Sequence, residues 1–205
     1  MSDHWGVAAD NPFSASRVRP GAIPFLFDEQ PPLDSLLEQL RAGGYWGQIV
    51  GAHGSGKSAL LAALRGGLES SGLRVLHIEL RAGQRRLPIS LRKLRSAKDI
   101  SVIVVDGYEQ LSWLARIRLK HFCRRRNLGL LVSTHHPAGF PSLCTLRPSL
   151  PLAQKVAAQL QHGYPELVMP SDVAACYAAA HGNLREMLFA LYDIYEQRRG
   201  NLGKL

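Results

Sequence analysis

Cysteine is scarce in this 205-residue chain: only Cys123, Cys144 and Cys176 occur, an odd number with no C-x-x-C spacing. That excludes a disulfide framework and a thiolate zinc site, and it predicts reduced thiols in a cytoplasmic protein. No apolar run approaches the roughly 20 residues that cross a bilayer. The first residues also lack the charged-then-apolar order of a secretory signal, so neither membrane insertion nor export is expected. Internal repeats and low-complexity tracts are absent too.

Acid is missing from two long stretches. Seven basic residues stand between Arg81 and Lys98, and six more between Leu111 and Arg126, with no acid in either. These 34 positions hold 13 of the 25 lysines and arginines of a chain whose net charge is +9. Such an excess either contacts the phosphates of a nucleic acid or another acidic partner, or forms a solvated basic face. No base-reading motif is visible, so a nucleic acid would be held through its backbone.

What is present is enough apolar material for a packed core, 46% hydrophobic against 20% charged residues. Residues 1–20 are polar, contain Pro12 and Pro20, and read as an arm. Residues 19–27 are apolar and punctuated by proline, hence extended. Asp34 or Ser35 caps a helix to Ala42, with Leu33, Leu36, Leu37 and Leu40 on one face. Strands are then expected at 45–50, 74–80, 100–105, 128–133 and 143–146. Helices are expected at 57–70 and 109–126, and a loop with a short helix between Arg81 and Lys98. Strands alternating with helices imply an α/β fold, a mostly parallel sheet of about five strands covered on both sides. Beyond Arg147 only helices are predicted, the first capped by Ser149, the next from Ser171 or Asp172, the last from Asn183 to about Arg198. The expected organisation is an arm over 1–20, an α/β core over 21–148, a helical lid over 149–200 and a tail over 201–205.

Residues 51–58, Gly51-Ala52-His53-Gly54-Ser55-Gly56-Lys57-Ser58, match G-x-x-x-x-G-K-[ST] in full. The glycines let successive backbone N–H groups turn inward toward an anion, and the helix that opens at Lys57, with Ala59 in its first turn, adds its positive end. Lys57 supplies a charge for the β and γ phosphates, and Ser58 a hydroxyl for Mg²⁺. The preceding strand and the leucine-patterned helix that follows are the context this motif requires. A second element agrees with it. Ile100 to Asp106 is an apolar strand ending in a carboxylate, and at the C-terminal edge of a sheet Asp106 can hold Mg²⁺ through water. A nucleoside triphosphate with Mg²⁺ is therefore the expected ligand, and residue chemistry alone does not separate ATP from GTP.

Hydrolysis also needs a group that orients water and one that senses the γ-phosphate. Glu109 is the candidate for the first role, although at a helix start it can equally serve only the helix N-terminus. The strand from Leu128 ends in Ser133-Thr134-His135-His136. Thr134 is the sensor candidate, with Ser133 and His135 behind it. The paired histidines lack a third ligand at recognisable spacing, which argues against a metal site.

Together these residues resemble the AAA+ branch of P-loop ATPases, within the ASCE division, over most of residues 20–198. His181-Gly-Asn-Leu-Arg185-Glu-Met-Leu resembles the sensor 2 motif of that family. The resemblance implies that Arg185 reaches the nucleotide phosphates and couples nucleotide state to the lid. It likewise implies that the stretch Arg19 to Phe25 packs on adenine, with Ile23 as the contact. Two departures stand out. Gly107 occupies the position after Asp106 where many hydrolysing relatives carry glutamate, and the five residues Pro137 to Phe140 and Pro141 leave no room for an arginine-finger helix. An oligomer is thus open but not indicated. The expectation is a Mg²⁺-dependent ATPase whose turnover moves the lid; a nucleotide-gated switch with little turnover and a small-molecule phosphotransferase remain as alternatives.

Overall fold

The computed structural model describes residues 11–19, 22–91, 94 and 99–202. Most of the arm, the tail beyond Leu202, and Arg92, Lys93, Arg95 and Lys98 of the first basic stretch lie outside the described residues, as does much of the short helix expected there. The elements run α1 Ala15–Val18, α2 Leu33–Ala42, β1 Trp46–Gly51, α3 Lys57–Ser70, β2 Val75–Glu79 and β3 Val102–Asp106. A 3₁₀ turn at Tyr108–Gln110 follows, then α4 Trp113–Arg125, β4 Gly129–Thr134, β5 Ser142–Leu146, α5 Leu150–Gln161, α6 Pro170–Ala179 and α7 Leu184–Leu202. They fall into two compact units, one of residues 24–147 and one that joins residues up to 23 with those from 148 onward.

In the larger unit five parallel strands pair in the order β2-β3-β4-β1-β5. Apolar strands without a polar face need cover on both sides. One face carries Ile49, Val102, Val104 and Leu131 against Leu36 and Leu40 of α2 and Leu60, Leu61, Leu64 and Leu68 of α3. The other carries Ile103, Val105, Leu130 and Val132 against Leu119, Phe122 and Cys123 of α4. Burial pushes the Cys123 thiol up to about 12, which keeps it inert. The strand alternation decides where the chemistry goes. Asp106 continues the α3 side of β3, Ser133 continues the α3 side of β4, and Thr134 falls on the α4 side.

One helix starts later than its periodicity predicts. The segment expected as a single helix from Glu109 is broken by an extended Leu111, and α4 begins only at Trp113, where Ser112 accepts the Ala115 N–H at 3.4 Å. A serine hydroxyl in competition with the backbone makes this cap.

In the smaller unit the described part of the arm is anchored rather than free. Phe13 is fully buried and meets the Tyr195 ring edge-on at 6.1 Å. Asn11 Nδ2 donates to the Tyr192 carbonyl at 3.1 Å and to Glu196 at 2.8 Å. Arg198 of α7 grips Asp172 of α6 through two hydrogen bonds, of 2.6 and 2.9 Å, and holds its carboxyl below the usual range. Among the described residues no helix is long and apolar enough to cross a membrane.

Candidate functional site

β1 ends at Gly51, where the chain turns sharply under α3. A Cβ at Gly51 would collide with the Ser55 hydroxyl and approach the Leu146 carbonyl to 3.1 Å, so the tightness of the turn excludes a side chain. Gly54 and Gly56 adopt φ values of +69° and +94°, the left-handed region that favours glycine. α3 forms its first bond from Leu60 N to Gly56 O, at 3.0 Å, so the N–H groups of Lys57, Ser58 and Ala59 precede the helical ladder at its positive end. The Ser55 hydroxyl is buried among them without a hydrogen-bond partner. This is a cradle of donors at the edge of a sheet.

Lys57 is only 8% exposed, and a buried ammonium requires acceptors. Its Nζ donates to the carbonyls of Gly51 and Ala52, both at 2.7 Å. Next along α3, Ser58 Oγ donates to Asp106 Oδ2 at 2.6 Å. The other carboxylate oxygen accepts from Ser133 Oγ, which itself accepts the Gly107 N–H at 2.9 Å. Asp106 is thus held from both sides, by the helix after β1 and by the end of β4.

Gly107 explains the missing glutamate. Its φ is +79°, and a Cβ there would stand 2.9 Å from the Leu80 carbonyl. The chain passes too close to the exit of β2 for any side chain, and a carboxylate arrives two residues later from the 3₁₀ turn instead. Glu109 Oε1 lies 3.3 Å from His135 Nε2, while Oε2 is buried with no partner. The His135 ring in turn contacts the His53 ring of the glycine-rich loop, centroids 3.9 Å apart. Burial lowers the basicity of His135; Glu109 opposes this, and Lys57, His53 and His136 add to it.

Most of the residues that the sequence singles out in the larger unit meet at this one edge. Thr134 is buried, but its hydroxyl donates to the His136 carbonyl at 2.7 Å, on the sheet face away from Asp106. Ser133 and His135 are the members of that strand end that reach the cluster. Phe25 of the linker stands beside the loop: its ring is 3.7 Å from where a Gly56 Cβ would be. Ile23 and Arg185 belong to the smaller unit, where Ile23 is half-buried and Arg185 exposed in the first turn of α7. Asn183 Oδ1 caps that turn by accepting the N–H groups of Arg185 and Glu186, at 3.1 and 3.3 Å.

The basic stretch on α4 is partly structural. Arg116 binds backbone carbonyls, Lys120 donates to Ala138 O at 3.1 Å and lies over the Phe140 ring, and Arg124 covers the Trp46 ring.

No protein-family profile matches the chain, and no curated protein is detectably similar to it in sequence. Its likeness is to solved structures. A crystal structure of a DNA replication initiation factor aligns with a TM-score of 0.56 at 14% identity, over 82% of this chain and 63% of that one. AMPPCP-bound DnaA from Aquifex aeolicus aligns at 0.57 and 13%, over 87% of this chain and 64% of that one. The S. cerevisiae Hsp104–ADP complex aligns at 0.59 and 17%, over 90% of this chain and 32% of that one. The chain therefore spans less than two-thirds of each of these neighbours. Its fold is that of AAA+ P-loop ATPases.

Proposed function

We propose that the chain binds a nucleoside triphosphate, ATP, together with Mg²⁺ at residues 51–59 and hydrolyses it. The observation that carries this reading is the 2.6 Å contact between Ser58 and Asp106. One residue closes a glycine-rich loop and the other ends an apolar strand 48 positions later, yet the two meet at a point. Both are hard oxygen donors, the set that suits Mg²⁺, and the unpartnered Ser55 hydroxyl supports an anion beside them.

On this reading the N–H groups of Lys57, Ser58 and Ala59 and the loop amides take the triphosphate tail, and Lys57 exchanges its two loop carbonyls for phosphate oxygens. Ser58 and Asp106 would hold Mg²⁺, which would supply positive charge against that of the phosphates. Glu109 accepts the proton of the attacking water at Oε2, its oxygen without a partner, while His135 stands 3.3 Å from Oε1. Ser133 keeps Asp106 oriented. The sensor role expected of Thr134 requires its hydroxyl to leave the His136 carbonyl. The lid roles of Arg185 and Ile23 rest on the family resemblance, as does coupling of hydrolysis to movement of the helical unit. Coupling to a nucleic-acid partner rests on the basic stretches 81–98 and 111–126.

Calorimetric titration with Mg²⁺-ATP tests the reading. Lys57→Ala is expected to weaken binding by at least about 100-fold, a loss of charge-assisted contacts; unchanged affinity overturns the proposal. Phosphate release from the intact chain, falling in Glu109→Gln, separates an ATPase from a switch, for which both rates are near zero and equal.

A further inference from the structure

The solvent face of α4 combines two features that its own fold does not use. Trp113, Leu114 and Ile117 are 71%, 55% and 45% exposed, and their spacing sets them side by side on one helical face. Large apolar side chains grouped in this way differ from singly scattered ones, which need no explanation. Further along the same face come Arg118 and Arg125, both exposed. Exposed Arg85 flanks the start of the helix, its carbonyl accepting the Ser112 N–H at 3.0 Å. No acid occurs on α4.

We propose that this face docks an acidic amphipathic segment of a partner protein, whose aliphatic or aromatic side chains cover Trp113, Leu114 and Ile117 while its carboxylates meet Arg118 and Arg125. Charge selects the partner's sign, and the order along the helix selects its form. The apolar group occupies the first turns and the cations the later ones, over about 20 Å of helix. A linear ligand with an apolar end and an acidic end matches that order. A nucleic-acid backbone has nothing to offer Leu114 and Ile117. A bilayer needs apolar side chains that project beyond the cations, whereas the longer arginines here share their face. The inference stands apart from the nucleotide site, since none of the six residues named belongs to it.

The test uses the full chain and a synthetic helical peptide with leucine and phenylalanine in its first turns and glutamate along the rest. A second peptide carries lysine in place of every glutamate. An oligothymidylate and vesicles of equal phosphatidylcholine and phosphatidylglycerol complete the set. The glutamate peptide is expected to bind and the lysine peptide not. Leu114→Ser with Ile117→Ser, and separately Arg118→Glu, are expected to weaken binding about tenfold, as for central interface residues. These surface changes leave the melting temperature unaltered. Binding of both peptides alike, of neither, or tighter binding of the oligonucleotide or the vesicles through the same residues overturns the proposal.

Discussion

Arg116 Nη2 donates to the backbone carbonyl of Glu109 at 2.6 Å, and its Nε donates to the Leu111 carbonyl at 2.9 Å. The guanidinium also lies over the Tyr108 ring, 5.5 Å from its centroid. One side chain of α4 therefore fixes the whole 3₁₀ turn that carries Glu109, an arrangement that uses the planar fork of arginine and that lysine does not reproduce. Arg116→Lys is expected to lower turnover about tenfold with little change in ATP affinity, because Glu109, the proposed base, is displaced while the glycine-rich loop is untouched. Parallel measurements of phosphate release and nucleotide binding check it.

Gly107 sets a second constraint. Restoring the glutamate that the family resemblance leads one to expect, by Gly107→Glu, puts a Cβ at 2.9 Å from the Leu80 carbonyl in a left-handed backbone. The expected result is a loss of about 2–4 kcal/mol of stability, with no gain in turnover. Thermal melting and an ATPase assay read the two halves of that statement.

The glycine-rich loop and Asp106 are legible in the sequence because backbone turns, apolar strand and carboxylate are all local patterns. Gly107 is not: its necessity comes from the exit of β2, a segment distant in sequence. The choice between Ser133 and Thr134 depends on which face of β4 turns toward α3, and that follows only from the pairing of Val104 with Leu131 and Val105 with Val132. The start of α4 departs from the periodicity because Glu109, Gln110 and Leu111 suit a helix individually, while Ser112 offers a cap that starts the helix anew after the 3₁₀ turn. The cations of α4 read as one surface stripe in the sequence, but Arg116 and Lys120 are bound to carbonyls of their own chain.

His135 gives the site a pH dependence. Burial is the main cause that lowers its pKa, so protonation is less favourable in the folded chain than in the unfolded one. The sign follows: His135 contributes fully to stability above the unfolded value near 6.5, and that contribution is lost as pH falls from there through the depressed folded value. Protonation also places a cation between Glu109 and Lys57, which oppose each other in their effect on the imidazole. Turnover is expected to fall on the acid side of neutrality, and His135→Gln to flatten that limb while keeping a donor. A pH–rate profile of both proteins checks this; superimposable acid limbs would exclude a role for the imidazole.

Ser133 and Thr134 are adjacent hydroxyls with opposite duties, and their variants should part accordingly. Ser133 is fully buried and links the Gly107 N–H to Asp106, so Ser133→Ala leaves a donor and a carboxylate oxygen without that partner. An unsatisfied group of this kind costs about 1–3 kcal/mol, and a less firmly oriented Asp106 is expected to raise the Mg²⁺ concentration needed for half-maximal turnover several-fold. Thr134→Val preserves volume and removes only the hydroxyl's bonds to the His136 backbone, donated to the carbonyl at 2.7 Å and accepted from the N–H at 3.4 Å. It should destabilise the fold by roughly 1 kcal/mol and leave the Mg²⁺ dependence where it was. Melting curves and Mg²⁺ titrations of the two variants decide between them. A larger catalytic loss from Thr134→Val than from Ser133→Ala would return the sensor role to Thr134, and would mean that its hydroxyl swings away from His136 when nucleotide binds.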